Sequence, residues 1–181
     1  MREVGVELYQ KLLEEAVDEA NGRSSNSADQ NFWSPQIELG AAVLIPEAYV
    51  PDLSVRLGLY RRLGAMRSRQ ELDNFGVELV DRFGNIPEET EHLLRVVAIK
   101  QLCWAAHVIQ IDAGPRGLVV SFFNDFFPAG EKLIAWITRG QGQWRLRPDH
   151  KLVVSQIWGN LESRFKGVED ILLKLASLVK A

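Results

Sequence analysis

The sequence predicts an α+β fold: a small mixed or antiparallel sheet packed with several helices, preceded by one separate helix and a flexible linker. Three observations lead there. Apolar and polar residues alternate across 36–45 as a half-buried strand requires, and 108–123 and 144–158 read as pairs of strands about turns. Elsewhere apolar residues recur at spacings of three and four, the period of a helix buried along one stripe. Gly- and Pro-containing turns separate the segments, and their order places helices against a sheet.

Taken in order, VGVELYQKLLEEAVDEANG sets Val6, Tyr9, Leu12, Leu13, Ala16, Val17 and Ala20 on one helical face, and Gly22 ends that helix. GRSSNSADQN is polar and without period, so residues 22–34 read as a linker between a first helix over 1–21 and a domain over 35–181. QIELGAAVLI alternates Ile37, Leu39, Ala41, Val43 and Ile45 and predicts a strand across 36–45. After the breakers Pro46 and Pro51 a helix is expected from Leu53 to Met66. In SRQELDNFGVELVDRFG, Ser68 and Glu71 form a capping box, each side chain accepting a hydrogen bond from the other residue's backbone amide. Leu72, Phe75, Leu79 and Phe83 make the inward stripe of that helix, and Gly84 takes its left-handed C′ position. Pro87, Glu88 and Glu89 suit the first turn of the next helix.

That next helix, LLRVVAIKQLCWAA, is apolar nearly all round, which predicts a central, buried element. VIQIDAGPRGLVVSFF predicts two strands about a Gly-Pro-Arg-Gly turn, and PAGEKLIAWITRG a short helix. WRLRPDHKLVVSQIW predicts a hairpin with Trp144 and Leu146 on one side and Arg145 and Arg147 on the other. The last helix carries Phe165, Val168, Leu172, Leu175 and Val179 on one stripe.

Composition narrows the function. At 46% hydrophobic and 25% charged, the chain has the make-up of a globular protein. No apolar run approaches the ~20 residues that span a bilayer, and MREVGVELYQ lacks the apolar core of a signal peptide. The single cysteine, Cys103, excludes an internal disulfide and fits a reducing cytoplasm. There is no GxxxxGK[ST] loop and no GxGxxG after a strand. His92, His107 and His150 have no metal-ligand spacing, Cys103 lies inside the most apolar helix and reads as an inert core thiol, and the DNF and NDF stretches have no nucleophile–base constellation around them. The expectation is a domain with no catalytic, cofactor or metal residues. Arg56, Arg61, Arg62, Arg67 and Arg69 read as a solvated helix face, with a phosphate-contacting stripe as the alternative. A net charge of −3 weighs against that nucleic-acid-binding alternative. A small enzyme is the remaining rival.

Three stretches, VGVELYQKLLEEAV, WSPQIELGAAVLIPEAYVPDLSVRLGLYRRL and ELVDRFGNIPEE, together resemble the C-terminal region of bacterial transcription-repair coupling factor. The likeness spans nearly the whole chain and is firmest from Ile45 to Pro87. It implies a parent that is an ATP-driven duplex-DNA translocase, using ATP and magnesium upstream of this region. That parent displaces stalled RNA polymerase and recruits the excision nuclease through its A subunit. The resembled domain would be regulatory, docking on the parent's own module homologous to the nuclease B subunit and covering the surface the A subunit binds. Residues 1–21 would be the tail of the translocase module.

For the site, the resemblance implies a partner interface at Glu78, Leu79 and Asp81. By spacing alone, Glu78 and Asp81 share one helix face, and Glu78 with Arg82 reads as an ordinary i,i+4 surface pair. The resemblance adds that the carboxylates would meet arginines of the partner module. Leu79 also falls on the core stripe. Reversing both charges is expected to leave the fold intact, because exposed helical charges contribute little.

Overall fold

The computed structural model describes residues 33–140 and 143–180. The expected helix over 1–21 and all of the linker but Trp33 and Ser34 lie outside them. The described residues divide into two compact units, one containing 42–93 and the other 33–41 with 94–180.

The first unit is helical. Helix α1 (Leu53–Ala65) starts at Asp52, whose carboxylate accepts from the Val55 amide, and holds Leu59 and Leu63 buried. Helix α2 (Arg69–Phe83) opens with the predicted capping box of Ser68 and Glu71, and buries Leu72, Phe75 and Leu79. Gly84 closes it with φ 84° and ψ −156°, a positive φ as expected, but followed by extended rather than left-handed ψ. A side chain there would be strained. Helix α3 (Glu88–Ala105) follows, with the Pro87 carbonyl accepting from the Glu91 amide. The segment before α1 is tied down by side chains. The Tyr60 hydroxyl accepts from the Ile45 amide at 2.7 Å, and Thr90 Oγ1 donates to the Leu44 carbonyl at 3.0 Å.

The second unit is a five-stranded mixed sheet whose strands, numbered in chain order, lie β1-β2-β3-β5-β4, with helices packed on it. Strand β1 (Gln36–Glu38) runs parallel to β2 (Val108–Gly114), and all other pairings are antiparallel. Strand β3 (Gly117–Phe122) returns from β2 through Pro115 and Arg116, and Gly117 sits where a Cβ would lie 2.0 Å from the Val154 carbonyl oxygen. Strands β4 (Trp144–Leu146) and β5 (Leu152–Ser155) form the predicted hairpin. Ile111, Ala113, Leu118, Val120, Leu152 and Val154 are buried. Helix α5 (Leu161–Lys180) meets β2, and helix α4 (Gly130–Arg139) meets β4 and α5. Arg95 clamps α3 to α5 by pairing with Glu162 and Glu169 while its guanidinium covers the Phe165 ring.

The strand expected over 36–45 is shorter than predicted. Only 36–38 joins the ladder, because Gly40 turns the chain with φ 67°. Burial still alternates at Leu39, Ala41 and Ile45, so the period was real while the sheet partner was missing. Trp33, inside the expected linker, stacks on Phe123 at 4.8 Å, and its carbonyl accepts from the Trp104 indole. α3 has no exposed residue from His92 to Ala105, as its apolar sequence predicts.

Candidate functional site

The corner formed by α2 and the start of α3 holds the three residues named from the sequence. Its rigidity comes from Tyr49. The phenol hydroxyl lies 3.1 Å from the Leu79 carbonyl oxygen and 3.0 Å from that of Gly84, and donates to this pair of acceptors. The ring meets Phe83 edge-on at 5.8 Å. One side chain thus fixes the last turn of α2 and the residue that ends it.

Glu78 sits in a three-charge arrangement. Arg62, sixteen residues back on α1, donates Nη1 to one carboxylate oxygen at 2.7 Å and Nη2 to the other at 2.6 Å. Arg82 donates Nη1 to the first oxygen at 2.8 Å. The Arg62 hydrogen bonds foremost, then that of Arg82, hold the Glu78 carboxyl down to about 2. Both guanidiniums also lie over rings, Arg62 over Phe75 at 5.0 Å and Arg82 over Phe83 at 4.9 Å. Such stacking orients the planar groups and fixes the fork geometry.

The three named residues therefore have different environments. Leu79 has 0% exposure and is a core side chain. Its side chain offers no surface to a partner, which agrees with the core stripe rather than with a direct contact. Glu78 is half-buried and already accepts from two arginines, so the triad carries net positive charge. Asp81 is exposed and, among the described residues, forms no ion pair. Asp81 is the carboxylate on this face with acceptor capacity for an incoming cation. Beside it stand two apolar side chains that the sequence reading did not single out, Val77 at 63% and Val80 at 46% exposure. Their sequence signal was available, since Val77, Val80 and Asp81 share the helix face opposite Leu72, Phe75 and Leu79.

The arginine stripe is mostly consumed within the same unit. Arg56 donates to the Val50 carbonyl, Arg67 to those of Gly64 and Met66 at the end of α1, and Arg69 pairs with Asp73. With Arg62 on Glu78, four of the five act locally, as caps or pairs. That favours the solvated-face reading over the phosphate stripe. Cys103 is buried with 0% exposure, and burial pushes its thiol pKa up, away from the reactive thiolate. Among the described residues no group of three His, Cys, Asp or Glu side chains could hold a metal ion, and no helix is long and apolar enough to cross a membrane.

The architecture is α+β, with one unit of capped helices and one of a mixed five-stranded sheet with helices packed on it. A solved structure described as the C-terminal domain of transcription-repair coupling factor shares this fold, with a TM-score of 0.58 at 15% identity, over 80% of this chain and 94% of that one. A family model described as the TRCF domain matches residues 39–133. The transcription-repair-coupling factor of Rickettsia conorii is 37% identical over 153 residues, 84% of this chain and 13% of the relative. Those of Haemophilus influenzae and Escherichia coli are 31% and 27% identical over 96% and 97% of the chain. The chain belongs to the transcription-repair-coupling factor (TRCF-domain) family. It spans 13% to 15% of the length of these relatives.

Proposed function

We propose that the chain is a non-catalytic protein-interaction domain of a transcription-repair coupling factor. It docks on the parent's own module homologous to the excision-nuclease B subunit and thereby masks the surface that recruits the A subunit. In this reading the parent translocase binds ATP and magnesium, duplex DNA and RNA polymerase through other parts of its chain. The observation that carries the reading is the outer face of α2, where Asp81 stands exposed beside Val77 and Val80 on a helix that Tyr49 and the Glu78 triad hold rigid.

Each residue then has a distinct task. Asp81 accepts charge-assisted hydrogen bonds from the partner's arginines. Val77 and Val80 supply the apolar contact that excludes water around them. Glu78 is a positioning residue that fixes Arg62 and Arg82 so that neither guanidinium swings across Asp81. Leu79 anchors the helix from beneath. Because docking and A-subunit recruitment use one surface of the partner module, they compete, and the coupling is reciprocal.

The test is a calorimetric titration of the 181-residue chain into the isolated nuclease-B-like module. Saturable one-to-one binding is expected, weakened at least tenfold (about 1.4 kcal/mol) by Asp81→Arg in a variant of unchanged circular dichroism. Equal affinity of the two proteins would remove Asp81 from the interface.

A further inference from the structure

Strand β4 is an edge of the sheet, and its pairing with β5 leaves main-chain groups unused. In an antiparallel ladder every second residue exchanges its backbone hydrogen bonds with the neighbouring strand, and the residues between turn theirs away. The Ser155 amide donates to the Gln143 carbonyl at 2.8 Å, and the Arg147 amide to that of Lys151 at 2.8 Å. With Arg145 opposite Val153, Gln143, Arg145 and Arg147 are the residues bonded to β5. Trp144 and Leu146 therefore turn their N–H and C=O groups off the sheet, where no backbone partner meets them among the described residues.

Side chains alternate along this edge. Trp144 lies opposite buried Val154 and packs on Trp136 with ring centroids 4.3 Å apart, and Leu146, opposite buried Leu152, is 38% exposed. Arg145 and Arg147 stand on the other face, both exposed. Arg147 pairs with Asp149, whereas Arg145 forms no ion pair among the described residues. Residues 139–151 hold Arg139, Arg145, Arg147 and Lys151 against one carboxylate, Asp149, in a chain whose net charge is −3. The edge is locally basic on an acidic protein.

From this edge we infer that β4 is the docking site for an extended acidic segment of a partner protein, which adds to the sheet as a further strand. Running antiparallel to β4, the segment exchanges hydrogen bonds with Trp144 and Leu146. Its residues opposite that pair are apolar and pack beside the exposed part of Leu146. The residues between them stand beside Arg145 and Arg147, where Asp or Glu fits. A short cationic edge discourages pairing with its own kind, since a second β4 would set arginine beside arginine. The same charges attract a strand that carries carboxylates. A nucleic-acid backbone would meet the arginines, but its phosphates have no N–H to give the two unused carbonyls. With only two residues offering their backbone, binding is weak and salt-sensitive.

The test titrates the full 181-residue chain, from micromolar to millimolar, into a fluorescent peptide of alternating glutamate and valine. Anisotropy reads binding, and NMR reads hydrogen exchange at the Trp144 and Leu146 amides. Both amides should exchange freely in the chain alone and become protected by the peptide. N-methylation of the peptide's valines, whose N–H groups face the edge, should abolish binding. N-methylation of its glutamates, whose N–H groups face away, should not. Arg145→Glu should weaken binding about tenfold or more, and Arg145→Gln, which adds no repulsion, should weaken it less. Near-UV circular dichroism establishes that each variant is folded. Amides already protected in dilute chain, binding indifferent to which residues are methylated, or undiminished binding by Arg145→Glu would each overturn the proposal. So would failure of the peptide to bind where a DNA duplex does, or protection that appears on concentrating the chain alone, which would name phosphate or a second copy as the occupant.

Discussion

Replacing Glu78 with Gln keeps the shape of the side chain and removes its charge, which isolates what the arginine triad contributes. The drop of the carboxyl from 4.5 to about 2 would correspond to about 3.4 kcal/mol at 1.36 kcal/mol per unit. Arg62 and Arg82 are 49% and 47% exposed, so solvent screens most of that. Exposed pairs are worth about 0.2–1 kcal/mol each, and bidentate geometry places this site near the upper end, giving about 1–2 kcal/mol for Glu78→Gln. The group's folded-state value lies below its unfolded one. Its stabilisation is therefore complete above about 4.5 and is lost as the pH falls toward 2. Urea unfolding followed by circular dichroism at pH 7, 4 and 2.5 should show a difference between the two proteins that is full at pH 7 and mostly gone at pH 2.5. Molar salt should shrink the pH 7 value. A difference below about 0.3 kcal/mol at pH 7, or one that does not change with pH, would refute the assignment of the triad as a stabilising unit.

Three further outcomes follow from the packing. Leu79→Ala should cost about 2–5 kcal/mol in urea unfolding, the range for a fully buried leucine, whereas a partner-facing leucine would leave the isolated chain's stability nearly unchanged. Gly167→Ala should destabilise by about 1–3 kcal/mol, because a Cβ there would lie 2.3 Å from the buried Trp158 Nε1; a neutral thermal shift would mean that the indole moves freely. Cys103 should react with an aromatic disulfide reagent only in denaturant, and rapid labelling of the native chain would contradict its burial.

What the sequence made legible was local. The capping box at Ser68 and Glu71, the glycine after α2, the Pro-Arg turn between β2 and β3 and the apolar stripe of α5 depend on residues within a turn or two of each other, and each is where it was expected. The misreadings were of long-range partners. Alternation over 36–45 reflects burial against helices as well as sheet pairing, and no local signal separates the two. Glu78 was legible only with its i,i+4 neighbour Arg82. Arg62, which contributes the bidentate half of the arrangement, lies on another helix. That omission made Glu78 look like a free surface acid and made double charge reversal look harmless, whereas Glu78→Arg would set three guanidiniums together. Asp81 is the cleaner probe, because no ion pair among the described residues is broken by changing it.

The most direct test of the masking role measures the A subunit's affinity for the intact parent chain, by titration against wild type and an Asp81→Arg parent. If the domain occludes the recruiting surface through this face, the variant should bind the A subunit at least tenfold more tightly, with ATP hydrolysis by the parent still measurable as evidence of folding. Wild-type affinity in a folded Asp81→Arg parent, in which the isolated domain's own docking is also unchanged, would contradict the account.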